Sequence, residues 1–317
     1  MQSGTDIDLA AAAGPTVIKR TLFESALLEV GHIEVRPTSD ACGEIETADL
    51  NVLALPLGGV FAVHEGPRQQ TLAVPGHALV ITAHRPYRLS FPGCIGDRCL
   101  AVRFSAPALA RTMPEVMAGD GFDRSAYLSR APLPASLLLA RSQLWRRLAR
   151  GPVDALEAEE LAVNLLDGAL QGMRRRGLPG GDVRRGRRRP ELSRRQVHRT
   201  MEAIWCAPAH KWTLDGLARR AHVSASHLAH VFRAEVGMPL YAYVVRARLT
   251  QALDSVLDSD ADLTTIALDL GFASHSHFTS RFRALYGQTP QALRRGVAPP
   301  VARQLRRIVT APALVAA

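Results

Sequence analysis

Between residues 16 and 104, apolar residues come in short runs (51–57, 60–64, 78–82 and 100–104) broken by Gly, Pro and Asp. Runs of this length between such breakers predict strands. Many short strands at regular spacing predict a small β-barrel or sandwich. Gly58-Gly59, with apolar residues on both sides, fits a two-residue hairpin, and Pro75-Gly76 marks another tight turn. The period then lengthens. Across 134–150, Leu137, Leu138, Arg141, Leu144, Trp145 and Leu148 recur at helical intervals. Asp154 is placed to cap a second helix, with Glu157 three residues on as in a capping box. The apolar face of that helix runs through Leu161, Leu165, Leu166, Ala169, Leu170 and Met173. Two readings of this strip stand side by side: packing onto the preceding β-domain, and dimerisation through Leu161, Leu165 and Leu166.

The pattern divides the chain into a disordered N-terminus (1–15), a β-rich domain (16–150), the helix of 151–176, a linker (177–190), a helical domain (191–296) and a tail (297–317). The linker holds Gly180-Gly181 and Arg184, Arg185, Arg187, Arg188 and Arg189. Such a run repels itself open and reads as a solvated tether.

Charge sharpens this division. The net charge is +10, but residues 1–173 carry 15 Lys+Arg against 19 Asp+Glu, and residues 174–317 carry 24 against 10. A mildly acidic half joined to a strongly basic one predicts a sensor or partner domain tethered to a polyanion binder. Cys42, Cys94, Cys99 and Cys206 show no C-x2-C spacing and read as reduced thiols. No basic stretch followed by an apolar core opens the chain, and no apolar run approaches the ~20 residues that span a bilayer. A cytoplasmic protein without membrane contact is expected.

The strongest signal is an internal repeat in 191–296. Leu214, Leu217 and Ala218 recur 49 positions later as Leu263, Ile266 and Ala267, and Leu228, Phe232, Arg233 and Gly237 recur 50 later as Phe278, Phe282, Arg283 and Gly287. The step from 49 to 50 places one extra residue in the second turn, between Phe272 and Phe278. Each unit reads as helix, tight turn, helix. His222 or Gly271 sits where the turn needs φ > 0, a region His tolerates better than most residues, and Ser224 can cap the next helix. Leu228 and Phe232, like Phe278 and Phe282, lie at i, i+4 and face inward. The opposite faces are polar: Ser226, His227, His230 and Arg233 in one unit, and His275, Ser276, Ser280 and Arg283 in the other. In a DNA-binding unit that face enters the major groove.

These residues carry a resemblance. Leu214-x2-Leu217-Ala218, Ser224-x3-Leu228-x3-Phe232-Arg233, Gly237, Tyr243-x4-Arg248-Leu249-x2-Ala252, Ile266-Ala267-x3-Gly271-Phe272, Phe278-x3-Phe282-Arg283 and Gly287-x-Thr289-Pro290-x3-Arg294 closely resemble the DNA-binding domain of the AraC/XylS family of bacterial transcription regulators. The resemblance implies seven helices, with two helix-turn-helix units joined by a rigid helix over about 239–257. Pro239 and Leu293 depart from the family pattern. By position, it implies base reading by Ser226, Ala229 and His230 and by His275, Ser276, His277 and Ser280. These sets hold few of the best bidentate readers. Phosphate contacts from Arg233, Arg246, Arg281 and Arg283 then carry much of the affinity. Arg248 has two readings, an inter-unit contact and a phosphate ligand.

The front half resembles, more loosely, the cupin-like sensor domains of the same family, best over residues 75–81 and 100–104. The expected fold is therefore α+β, a cupin-like β-barrel with accessory helices before an all-α reader. The expected function is a ligand-responsive, sequence-specific regulator, more an activator than a repressor. Its expected partners are double-stranded DNA, RNA polymerase, a small-molecule effector and a second copy of the chain. The rival reading is a metal-binding or redox-sensing cupin fused to the reader. His32, His64, His77 and His84 lie in the front half, but without the His-x-His pair that puts metal ligands on one strand face, and Cys94 and Cys99 carry no sign of a redox pair. No cofactor, metal or enzymatic activity is expected.

Overall fold

The computed structural model describes residues 15–66, 69–105, 128–151, 153–175 and 191–296, with single positions 107 and 110. The expectations for residues 1–14, the linker 177–190 and the tail 297–317 lie outside them. Nine strands occur in the order β1 (Thr16–Glu24), β2 (Leu28–Arg36), β3 (Asn51–Gly59), β4 (Phe61–Gly66), β5 (Gln69–Ala73), β6 (His77–Ile81), β7 (Arg88–Ser90), β8 (Asp97–Phe104) and β9 (Leu128–Pro132). Nine described helices follow: α1 (Ala135–Arg150), α2 (Ala155–Arg175), α3 (Glu191–Cys206), α4 (Leu214–Ala221), α5 (Ala225–Val236), α6 (Leu240–Asp258), α7 (Leu263–Asp269), α8 (His275–Tyr286) and α9 (Pro290–Arg294).

The strands form a six-stranded sheet, β1-β2-β8-β3-β6-β9, and a three-stranded sheet, β5-β4-β7. Every described pairing is antiparallel. The side chains that meet between the sheets are Ala54, Phe61, Val63, Ala73, Leu79, Ile81 and Cys99, with Val52, Tyr87, Leu89 and Phe91 at the margin. The other face of the large sheet, through Leu53, Leu55, Leu100, Val102 and Phe104, is covered by α1 and α2. Central strands β3 and β8 are thus buried on both faces, which is why they read as apolar runs without alternation.

Gly58-Gly59 does not make a hairpin. β3 pairs with β8 and β6, whereas β4 pairs with β5 and β7. The two glycines carry the chain from one sheet to the other. Gly59 has φ +75, and a Cβ there would lie 2.0 Å from the Gly96 carbonyl oxygen, so the crossing needs glycine. Pro75-Gly76 is a tight turn closed by His77 N–H to Val74 O at 2.9 Å, and it too passes between sheets, from β5 to β6.

Asp154 caps α2, its Oδ1 accepting from Leu156 N and Glu157 N at 3.0 and 3.1 Å. Glu157 pairs outward with Arg147. Leu161, Leu165 and Leu166 point into the chain's own core, with Leu165 and Leu166 fully buried. The packing reading accounts for this strip, which therefore offers no free apolar seam.

The C-terminal helices follow the repeat closely. Thr213, Ser224, Asp262, Ser274 and Thr289 each cap a helix by accepting a backbone N–H, each cap contributing ~1 kcal/mol. His222 occupies the left-handed region (φ 57, ψ 47) and Gly271 its equivalent (φ 77). Val223 N–H reaches Ala218 O as Phe272 N–H reaches Ala267 O, both at 3.0 Å. The turns coincide to this point. The next cap is Ser224 in one unit and Ser274 in the other, so Ala273 is the extra residue.

The repeat does not keep its core to itself. Val60, Ala62, Leu72 and Val74 of the small sheet join α3, α4 and α5 in one apolar cluster. The outer face of the large sheet joins α1, α2, the second half of α6, and α7, α8 and α9 in another.

Candidate nucleic-acid interface

Helix α5 buries Leu228, Val231 and Phe232, and α8 buries Phe278, Phe282 and Tyr286. Phe278 meets Phe282 edge-on with centroids 5.5 Å apart, and Phe282 packs tilted against Tyr286 at 4.6 Å. Each fully buried aromatic holds its helix down by roughly 2–3 kcal/mol, and the i, i+4 spacing leaves the opposite face to solvent. Ser226 and His230 are exposed there on α5, with Ala229 half-buried. On α8, Ser276 and Ser280 are exposed, and His275 and His277 are half-buried.

The histidines have local partners. His275 Nε2 lies 3.4 Å from Thr279 Oγ1. His277 Nε2 accepts from Arg281 Nε at 3.4 Å and its ring meets the edge of Phe272. His227, on the margin of α5, lies 3.2 Å from Gln196 Oε1 of α3. An open cleft of about 740 Å³ runs along α8 past His275, Ser276, Thr279, Ser280 and Arg283.

Of the four arginines, Arg233, Arg281 and Arg283 are exposed beside these faces. Arg246 is half-buried, and its Nη2 donates to Leu133 O at 2.5 Å, so in this conformation it faces the N-terminal β-domain. Arg248 bridges the two units. Its Nε donates to Pro208 O at 2.8 Å and Nη2 to His210 O at 2.9 Å, on the loop before α4, while Nη1 donates to Gly271 O at 2.7 Å in the second unit's turn. All three acceptors are uncharged carbonyls, and partial burial draws its pKa below the usual arginine value. A Cβ at Gly271 would come within 2.5 Å of Ala209 O and 3.1 Å of the Arg248 guanidinium, so the bridge also fixes glycine there.

One basic site was missed in the sequence. His210, Lys211, Trp212, Arg219 and Arg220 line a cleft of about 430 Å³ at the start of α4. Arg220 lies over the Trp212 ring at 5.3 Å and His210 meets its edge at 4.4 Å. A tryptophan beside a lysine, with two arginines two helical turns on, was the available signal.

The front-half histidines are scattered. His32 stacks on Trp145 at 4.5 Å, and His64 lies 2.8 Å from Ser90 Oγ. Among the described residues no three His, Cys, Asp or Glu side chains gather as a metal-ligand set. All four cysteines are free, and burial pushes Cys99 well above the usual thiol range. No described helix is long and apolar enough to cross a membrane.

The sequence matches the helix-turn-helix domain family over residues 217–296 and the AraC-binding-like domain family over residues 27–171. The chain belongs to the AraC family of transcription regulators. Similar proteins include the HTH-type transcriptional regulator ExsA of Pseudomonas aeruginosa, 28% identical over 33% of this chain and 38% of that one. The HTH-type transcriptional activator AarP of Providencia stuartii is 35% identical over 26% of this AraC-family chain and 61% of the relative. The chain thus spans less than two thirds of either relative. A solved AraC-type regulator from Chromobacterium violaceum is 24% identical with a TM-score of 0.32, covering 34% of this chain and 96% of its own.

Proposed function

We propose that this AraC-family chain is a sequence-specific regulator that binds double-stranded DNA through α5 and α8 and answers to a small-molecule effector held in its β-barrel. The observation that carries this is the pair of capped helices, each with an apolar inward face and a polar outward one, tied at one spacing by Arg248. Ser226, Ala229 and His230 on α5, and His275, Ser276, His277 and Ser280 on α8, read base edges. Arg233, Arg281 and Arg283 hold phosphates, joined by Lys211, Arg219 and Arg220 at the basic cleft. Arg246 joins them if DNA draws it from Leu133. Activation through RNA polymerase belongs to this reading. So does a second copy of the chain, met on a surface other than the buried strip of α2.

Selection of bound sequences from a random duplex library by the full chain tests it, followed by affinity measurements over a salt series. One recovered motif with two half-sites, and affinity falling steeply with salt, is expected. His230→Ala and His275→Ala should each relax preference at one position by roughly 1–3 kcal/mol, and Arg283→Ala should weaken all sequences alike. Recovery of no motif, or affinity indifferent to salt, would refute the proposal.

A further inference from the structure

Each sheet of the sensor is fused to a different reading unit. The small sheet shares an apolar cluster with α3, α4, α5 and Tyr243, Val244 and Ala247 of α6, and the large sheet shares one with the rest of α6, α7 and α8, so α6 belongs to both. The two sheets face each other across the barrel interior. Any change in their separation must therefore be accommodated between the two reading units, whose connection is α6.

The places where α6 meets the sensor converge on one turn. Pro75-Gly76 carries the chain from the small sheet to the large one. Arg141 of α1, wholly buried, donates to Pro75 O at 2.7 Å and to Pro56 O at 2.5 Å, filling the gap where β3 and β6 diverge. The same guanidinium lies 3.5 Å from Asp254 of α6, whose other oxygen accepts from Ser142 Oγ at 2.7 Å. Gly76 O accepts from Leu133 N at 2.9 Å, and Leu133 O accepts from Arg246 of α6. On the other side the Trp205 ring of α3 lies against Gly76, so near that a Cβ there would sit 3.2 Å from its Cζ2. Trp205 Nε1 donates to Tyr243 Oη of α6 at 2.8 Å. Tyr243, Arg246 and Asp254 are spaced three and eight residues apart, close to one face of α6.

We propose that the Pro75-Gly76 turn is the joint through which the contents of the barrel set the relative placement of the two reading helices. Arg141 of α1, Trp205 of α3 and Arg246 of α6 itself are the positioning residues that hold α6 to this turn. This rests on the reading of α5 and α8 as DNA readers, but the joint itself is measurable without DNA. A buried arginine spent on two backbone carbonyls and one carboxylate has two discrete conditions, made or broken. Packed elements joined in this way shift between alternatives rather than deform smoothly.

The test is a distance. Spin labels are placed at Ala234→Cys on α5 and Ala284→Cys on α8, both exposed, in the full chain with Cys42, Cys94 and Cys206 changed to Ser. Arg246→Ala should move or broaden the interlabel distance by about 2 Å, the scale of helix shifts at packed interfaces, and Arg246→Lys should restore it. Ala54→Leu overfills the barrel from its inner face and should shift the distance in the otherwise unchanged chain. It should no longer do so once Arg141→Met and Asp254→Leu replace the buried pair by apolar groups, a change that folded proteins often tolerate. If that double change does not fold, Arg246→Ala takes its place as the uncoupled background. Arg246→Ala and Ala54→Leu chains that are folded and keep the original distance and width overturn the proposal. Duplexes with half-site spacing varied by one base pair form the second arm, in which uncoupled variants should accept spacings that the original chain rejects. If no duplex binds at all, the DNA reading fails, while the distances still decide the joint.

Discussion

Replacing Arg248 with lysine keeps the positive charge and removes the fork. In the native chain the guanidinium holds three carbonyls, Pro208 O and His210 O before α4 and Gly271 O in the second turn, at 2.8, 2.9 and 2.7 Å. A lysine ammonium can reach one of these in good geometry. Hydrogen bonds to a charged donor contribute ~1.5 kcal/mol or more each, so losing two costs about 3 kcal/mol. The His210 bond is exposed, and water there recovers part of the loss, leaving a deficit of about 2 kcal/mol. Chemical denaturation of the full chain measures it, beside DNA affinity across a salt series. A lost phosphate contact would lower the salt slope by about one unit while a retained charge would not. The structure therefore predicts lower stability and weaker binding with the slope unchanged in Arg248→Lys, and the same slope again in Arg248→Met. A lysine variant of native stability would refute the bridge, and a methionine variant with a reduced slope would show that Arg248 serves phosphate.

Three further outcomes are expected. Burial pushes the Asp97 carboxyl from 3.8 to about 7. Because the folded state holds this proton more tightly, stability declines as pH rises from 3.8 through 7, and Asp97→Asn should gain up to about 4 kcal/mol over the original at pH 8 and nothing at pH 3. Urea titrations at both values check this, and an equal effect at the two refutes it. Leu161→Glu with Leu165→Glu should abolish folding by circular dichroism, because two carboxylates in that core cost as much as an entire domain's margin of roughly 5–15 kcal/mol; a folded monomer would restore the dimer reading. His222→Gly should raise stability by about 0.5–1 kcal/mol, relief of the left-handed backbone outweighing glycine's extra entropy, and a measured loss would place a contact on the imidazole instead.

The reading units were legible because their determinants are local. A hydroxyl or carboxylate at each cap, an i, i+4 aromatic pair and a residue tolerant of positive φ all act within one turn, and together they bracketed the extra residue between Phe272 and Phe278, which the Ser274 cap narrows to Ala273. Pairing partners are not local. Gly58-Gly59 has the same turn chemistry whether the chain doubles back or crosses to another sheet, and β8, some forty residues on, decides which. The strip on α2 failed for another reason, since a helix face made of Leu161, Leu165 and Leu166 looks the same whether it meets its own barrel or a partner. Arg141 stood in plain view among leucines at helical spacing, and only the surrounding carbonyls and Asp254 give it meaning.

The two shared clusters bear on how such a protein can be recombined. A chimera that keeps residues 191–296 and borrows another sensor inherits Met201, Ile204 and Trp205 without the sheet that covers them, and Asp254 without its arginine. A graft that respects only the sequence boundary then presents sticky surface and a stranded carboxylate. Successful exchange must move α3 with the sensor or redesign the facing strands β4 and β5. The same constraint predicts that a substitution in the barrel's outer wall is tolerated best when the facing residue on α3 or α6 changes with it.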